Sequence, residues 1–145
     1  VVLSVRVADC LPVLLADRAA SVVAVAHAGW RGLAAGVLET TVAAMQAAPG
    51  DIAAWIGPAI GPRALEVGAD VRDTHCADDA GAFAPVAAGK WLADLPALAR
   101  RRLAAAGVAD VVVDGACTHA EAARFHSWRR DRTRGRMALV AWLAP

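Results

Sequence analysis

The stretch from Leu11 to His27 constrains this chain more than any other. Two apolar runs rich in β-branched residues, 11–16 and 21–27, flank the short polar break Asp17-Arg18-Ala19-Ala20. Apolar runs of that length on either side of a break are the pattern of a β-hairpin. A turn centred between Arg18 and Ala19 pairs Ala16 with Ser21, Val13 with Ala24 and Cys10 with His27. Directly opposed residues share one face, with β-carbons about 5 Å apart, so this register sets a thiol beside an imidazole. A slip of one residue would send the two to opposite faces.

A Cys and a His side by side admit three chemistries. They are two ligands of a zinc ion, a thiolate nucleophile with its base, or core packing. The residues directly after His27 weigh against packing. In Ala28-Gly29-Trp30-Arg31-Gly32 a strand ends and a helix begins. Gly29 and Gly32 allow a tight turn, the first helical N–H groups are unpaired, and Arg31 adds a charged fork. Those are the ingredients of an anion site. Cys10, His27 and Arg31 are therefore the candidate catalytic residues, with Cys10 and His27 as metal ligands.

At 145 residues the chain suits one domain, 1–145. A 58% apolar composition excludes general disorder. A formal charge of +1 gives no steering toward nucleic acid, and every apolar run is interrupted before it reaches the length of a membrane span. Three cysteines, Cys10, Cys76 and Cys117, form no close-spaced motif, and no secretory segment is recognised. The expected compartment is therefore reducing, that is, cytoplasmic. The chain opens without Met on the strand-like Val1-Val2-Leu3-Ser4-Val5-Arg6-Val7, so an upstream part is expected to be missing.

Downstream, Ala34, Val37, Leu38, Thr41, Val42 and Met45 form one apolar stripe and predict a helix over 31–48, ended by Pro49-Gly50. Residues 52–56 read as a buried strand closed by the loop Gly57-Pro58-Ala59-Ile60-Gly61-Pro62. Leu65-Glu66-Val67 suggests one more short strand, with Glu66 read as a general base or a solvated carboxylate. A short helix over 69–77 carries His75 and Cys76, and 78–89 reads as a loop. Leu92, Leu95, Leu98, Ala99 and Leu103 predict a helix over 91–106, capped by Gly107. A strand over 108–114 then delivers Cys117-Thr118-His119 to its end.

Six arginines fall between 124 and 136, before a closing strand over 137–143. This is a charged hairpin tip, a nucleic-acid patch that the neutral total argues against, or a phosphate site built on Arg129 and Arg130.

The stretches Ala8-Asp9-Cys10-Leu11-Pro12, His27-Ala28-Gly29-Trp30-Arg31-Gly32, Ser127-Trp128-Arg129-Arg130-Asp131 and Gly135-Arg136-Met137, with Gly57–Pro62 and Glu66-Val67-Gly68, resemble the multicopper polyphenol oxidase (laccase-domain) family. Its members are also described as purine nucleoside phosphorylases and peptidoglycan editing factors. The resemblance implies an α/β (α+β) fold of mixed β-sheets sandwiched by helices, distantly like toxin cysteine hydrolases. It also implies a zinc site of His, Cys and His, in which Cys10 and His27 match two ligands. The first histidine lies upstream of the Cys, so it is either outside this chain or replaced by His75, His119 or His126. The family often carries Cys and Tyr where this chain has Arg63 and Leu65, and Phe and Tyr where it has His126 and Trp128.

With four histidines in all, a self-contained multicopper oxidase is disfavoured, since oxygen-reducing copper clusters need more imidazoles. Zinc needs three protein ligands and an open position. The reading is a zinc-dependent purine nucleoside phosphorylase. Arg31, Arg129, Arg130, Gly29 and Gly32 bind phosphate, and adenosine deamination is a side activity. Its partners are a nucleoside and phosphate, not nucleic acid or membrane, with a homo-oligomer allowed. The alternatives are a cell-wall-precursor amide hydrolase with Cys10 as nucleophile or ligand, a polyphenol oxidase, and a non-catalytic anion-binding fragment.

Overall fold

A computed structural model describes residues 1–75 and 77–144, those at 77, 78 and 80 by their backbone alone. Cys76, expected beside His75, lies outside the described residues. The hairpin forms as β2 (Leu11–Asp17) and β3 (Val23–Ala28). Its register differs from expectation: Leu11 faces Ala28 and Pro12 faces His27, a shift of two residues. The cause is Asp17. Its carboxylate accepts the Ser21 and Val22 backbone N–H groups at 2.8 and 2.9 Å and the Ser21 hydroxyl at 2.7 Å. Its own N–H donates to the Val22 carbonyl, and Ala20 takes a φ of 54°. The loop is thereby recentred between Ala19 and Ala20. A shift of two preserves face parity, so Cys10 and His27 keep a common face as diagonal rather than direct neighbours.

β4 (Ile52–Ile56) pairs antiparallel with β2, and β8 (Asp110–Val113) pairs parallel with β4, giving the order β3-β2-β4-β8. One face carries Leu11, Val13, Leu15, Ala26, Ala28, Ile52, Ala54 and Ile56. These are buried with Leu33, Leu38, Val42, Leu98 and Leu103 from the helices. A fully buried Leu or Ile of this kind contributes roughly 1.5–3 kcal/mol by leaving water. The opposite face presents Pro12 and Trp55 to a ribbon of β1 (Leu3–Val7) and β9 (Met137–Ala141), paired antiparallel from Leu3–Ala141 to Val7–Met137. The mixed α/β class holds, with helices on one face of this sheet and the ribbon on the other.

The helix expected over 31–48 divides into α1 (Trp30–Ala34) and α2 (Val37–Ala44). Gly36, at φ 79°, makes the corner in a conformation that L side chains disfavour. The helix expected over 91–106 starts later, as α4 (Leu95–Ala105). Asp94 caps it by accepting from Ala97 N at 2.9 Å, and Pro96 sits in its first turn. Lys90–Ala93 is instead β7, which joins β5 (Glu66–Gly68) and β6 (Phe83–Ala87) in a small sheet of order β5-β7-β6. β6 replaces an expected loop. α3 (Ala69–Thr74) and α5 (Trp128–Asp131) complete the helices. No helix among the described residues is long and apolar enough to cross a membrane.

His75 is 4% exposed and lies 5.8 Å from the Phe83 ring, with no hydrogen-bond partner on either ring nitrogen among the described residues. Nearby, Arg102 contacts Glu39 at 3.1 Å and Asp79 at 3.7 Å. Burial, and then the Arg102 charge, push the His75 pKa down, so folding favours its neutral form. The unfolded chain binds this proton more readily. Full stability is therefore present above about pH 6.5 and is lost as pH falls toward and through the lower folded value. The Asp17 carboxyl, held low first by the Ser21 hydroxyl and then by the Val22 amide, adds a second acid loss beginning near pH 4. In thermal melts from pH 7 to pH 3, His75→Phe should flatten the upper part of the decline and Asp17→Asn the lower part. A pH profile unchanged in both variants would refute this assignment.

Candidate active site

The site is built at the open end of the hairpin, where the chain enters β2 and leaves β3. Continuing the register by one pair sets Cys10 opposite Gly29. In agreement, a β-carbon built on Gly29 would lie 2.7 Å from the Cys10 Sγ. The glycine therefore leaves room for the thiol. His27, exposed and opposite Pro12, is the diagonal neighbour on the same face, at a β-carbon separation of about 7 Å expected for such pairs.

Asp9 fixes the position of Cys10. It is 8% exposed and has a φ of 92°, where only glycine sits without strain. Its Oδ1 accepts the Thr118 hydroxyl and its Oδ2 the Arg129 backbone N–H, both at 2.7 Å. Its carbonyl accepts Ile60 N–H at 2.9 Å. One residue thus joins the β1–β2 turn, the Gly57–Pro62 loop, the Cys117–His119 loop and α5. Burial, and next the Asp9 charge, push the Cys10 thiol up, opposed by Arg136. A thiol held protonated is a weak nucleophile and gains from a metal that takes its proton.

The arginines divide by what they bind. Arg31 is exposed and stacks over the Trp30 indole, 4.2 Å from the ring centre. Arg129 gives Nη1 to the Glu66 carbonyl at 3.0 Å and is otherwise exposed. Arg130 has no donor left for phosphate, contrary to expectation. Its Nη1 donates to the Thr118 and His119 carbonyls, its Nη2 to the Phe125 carbonyl and Asp131 Oδ2, and its Nε to Asp131 Oδ1. It is a tie between loops. Gly32 also has a packing reason, since a β-carbon there would lie 3.3 Å from the His27 carbonyl. Glu66 is an exposed carboxylate 3.4 Å from Lys90, which suits the solvated reading.

Among the described residues, no group of three His, Cys, Asp or Glu could hold a metal ion. His75 is in the core, and His126 lies against Gly135, where a β-carbon would meet its ring at 2.4 Å. Cys117 accepts the Gly61 N–H at 3.2 Å. Arg136, within the resemblance stretch Gly135-Arg136-Met137 but not among the expected phosphate ligands, is exposed and lies 5.5 Å from the centre of the Trp128 ring. Six arginines in one stretch look alike until their partners are known.

Two substitutions probe the architecture. Gly29→Ala should displace the Cys10 thiol and weaken its thiol-dependent metal uptake while leaving the fold intact by circular dichroism. Thr118→Val leaves a buried carboxylate oxygen without its donor and should cost about 1–3 kcal/mol in urea unfolding; a neutral result would refute the clamp.

The family model for multi-copper polyphenol oxidoreductase laccase matches residues 1–144. Purine nucleoside phosphorylase YfiH of Escherichia coli is 54% identical over 144 residues, covering 98% of this chain and 59% of its own length. Purine nucleoside phosphorylase PA4543 of Pseudomonas aeruginosa is 51% identical, over 97% of this chain and 60% of its own. The crystal structure of Neisseria meningitidis protein NMB0706 superposes with a TM-score of 0.97 at 50% identity, over 99% of this chain and 61% of that one. YlmD from Geobacillus stearothermophilus gives 0.91 at 38% identity, over 97% of this chain and 56% of that one. The chain thus spans about three fifths of the length of these relatives.

Proposed function

Because the chain belongs to the multi-copper polyphenol oxidoreductase laccase family, we propose that the head of the β2–β3 hairpin serves a purine nucleoside phosphorylase. The reaction is cleavage of adenosine or inosine by phosphate to the free base and ribose 1-phosphate. The observation that supports this reading is a thiol and an imidazole on one strand face, with the exposed Arg31 four residues after His27 and the exposed Arg129 bonded through its backbone to Asp9, next to Cys10. Relatives at 54% and 51% identity bear the phosphorylase name.

Arg31 and Arg129 hold the phosphate and offset charge that develops as the glycosidic bond breaks. The indole of Trp30 orients the Arg31 fork. Asp9, engaged by Thr118 and Arg129, fixes the backbone beneath the site. Cys10 and His27 fit zinc in donor type and shared face, and Gly29 leaves the thiol room. This chain provides a pair of ligands, with the third from outside the described residues. When bound, zinc supplies Lewis acidity and an activated water, which would also suit adenosine deamination. In the amide-hydrolase reading Cys10 is either the attacking group or a metal ligand. The setting proposed is cytoplasmic.

The test supplies adenosine or inosine with labelled phosphate. Free base should appear only with phosphate, and the label should enter ribose 1-phosphate. Release of base without phosphate would mean hydrolysis, and inertness to nucleosides with cleavage of a cell-wall precursor would move the function to editing. Arg31→Lys keeps the charge but loses the fork, so the apparent KM for phosphate should rise at least about threefold. Elemental analysis should find zinc, removed by Cys10→Ala; copper without zinc would overturn the metal assignment.

A further inference from the structure

The last pair of the β1–β9 ribbon is Val7 with Met137. Arg136 comes directly before Met137, and Ala8, Asp9 and Cys10 follow Val7, so the two segments leave the ribbon at the same end. The guanidinium is anchored at one end, where Nη1 donates to the Thr133 carbonyl at 3.1 Å and the Gly135 carbonyl at 2.7 Å. It also lies 5.5 Å from the centre of the Trp128 ring. The turn that carries it packs on the His126 ring, an approach open only to a residue without a β-carbon at Gly135. Among the described residues, Nε and Nη2 have no partner.

The nearby carboxylates are engaged elsewhere. Asp9 accepts from Thr118 and Arg129, and Asp131 is paired in a fork with Arg130. Arg136 is therefore a positive charge without a carboxylate partner among the described residues, fixed by its own turn, at the mouth of a site read as taking an anion. It sits by Trp128, whose neighbour Arg129 donates its backbone N–H to Asp9, the residue next to Cys10. A guanidinium anchored through one amino group keeps a two-donor edge for two oxygens of a phosphate, with little ordering left to occur on binding.

We propose that Arg136 is a phosphate-binding residue of the Cys10–His27 site, taking the place expected of Arg130. This rests on the phosphorylase reading for the identity of the reaction, but not for the anion contact itself. Arg31 and Arg129 then approach the phosphate from the hairpin and α5, and Arg136 from the ribbon.

The experiment compares wild type, Arg136→Gln and Arg136→Lys in the full-length protein. It reads melting temperature, inorganic phosphate binding by titration, and the KM values for phosphate and inosine. Arg136→Gln should melt within a few degrees of wild type and raise both the phosphate Kd and KM about tenfold, as loss of a charged hydrogen bond implies. The inosine KM should stay within about twofold, because the contact is to the anion alone. Arg136→Lys should recover part of the loss. Phosphate binding and phosphate KM unchanged in Arg136→Gln would overturn the proposal while leaving the phosphorylase reading standing. If the protein ignores nucleosides yet binds phosphate tenfold more weakly in Arg136→Gln, the phosphorylase reading falls and the anion site stands. Should Arg136→Gln fail to fold, folded Arg136→Lys decides: phosphate binding weaker than wild type supports the contact, and wild-type binding overturns the need for the fork.

Discussion

The buried carboxylate of Asp9 is the interaction on which the site depends. Its backbone sits at φ 92°, a strained conformation for a non-glycine residue, and is held there by hydrogen bonds to three separate segments. Burying a carboxylate is costly unless its oxygens are satisfied. The Thr118 hydroxyl and the Arg129 amide provide that satisfaction and bring two loops against the start of β2. The consequence is local: Cys10, the next residue, enters β2 at a fixed height beside Gly29. Strain stored beside the Cys10 thiol is offset by contacts made far along the chain.

Arg130 completes the same architecture from the other side. It ties the carbonyls of Thr118, His119 and Phe125 to Asp131, so the loop that supplies Thr118 is itself braced. Two adjacent arginines consequently have different work. The Arg129 backbone serves Asp9 while much of its side chain stays exposed; the Arg130 side chain is consumed inside the fold. In the proposed site, charge at the mouth would come from Arg31, Arg129 and Arg136, which lie on three different segments.

The hairpin was legible because its period and its polar break are local signals. Its register was not, since the Asp17 side chain binds Ser21 and Val22 and moves the turn by one position. The pairing of Cys10 with His27 survived as a shared face only because the shift was even. The split at Gly36 is another local matter, as is the cap at Asp94 with Pro96 behind it; both residues were visible, but the apolar stripes running through them suggested unbroken helices. β6 was hidden for a different reason. Its residues past Phe83 are exposed, so Ala84–Ala87 carries no alternation to read.

Sequence alone determined that Cys10, His27 and Gly29 share one face at the head of the hairpin, because they lie within one contiguous supersecondary unit whose pattern is set by neighbours. It also determined the α/β class, since apolar runs of strand and helix period alternate along the chain. Only the tertiary structure decided the partners of Asp9 and those of Arg129, Arg130 and Arg136. Each is a charged residue in a charged or turn-forming stretch, and nothing local distinguishes one guanidinium from another. For Asp9 the partners lie more than a hundred residues away, at Thr118 and Arg129, whereas Arg130 and Arg136 are told apart by carbonyls and a carboxylate within 12 residues that the fold turns toward them. Such partners are chosen by the packing of β1 against β9 and of the loops at the sheet's end, where a buried charge must find its hydrogen bonds.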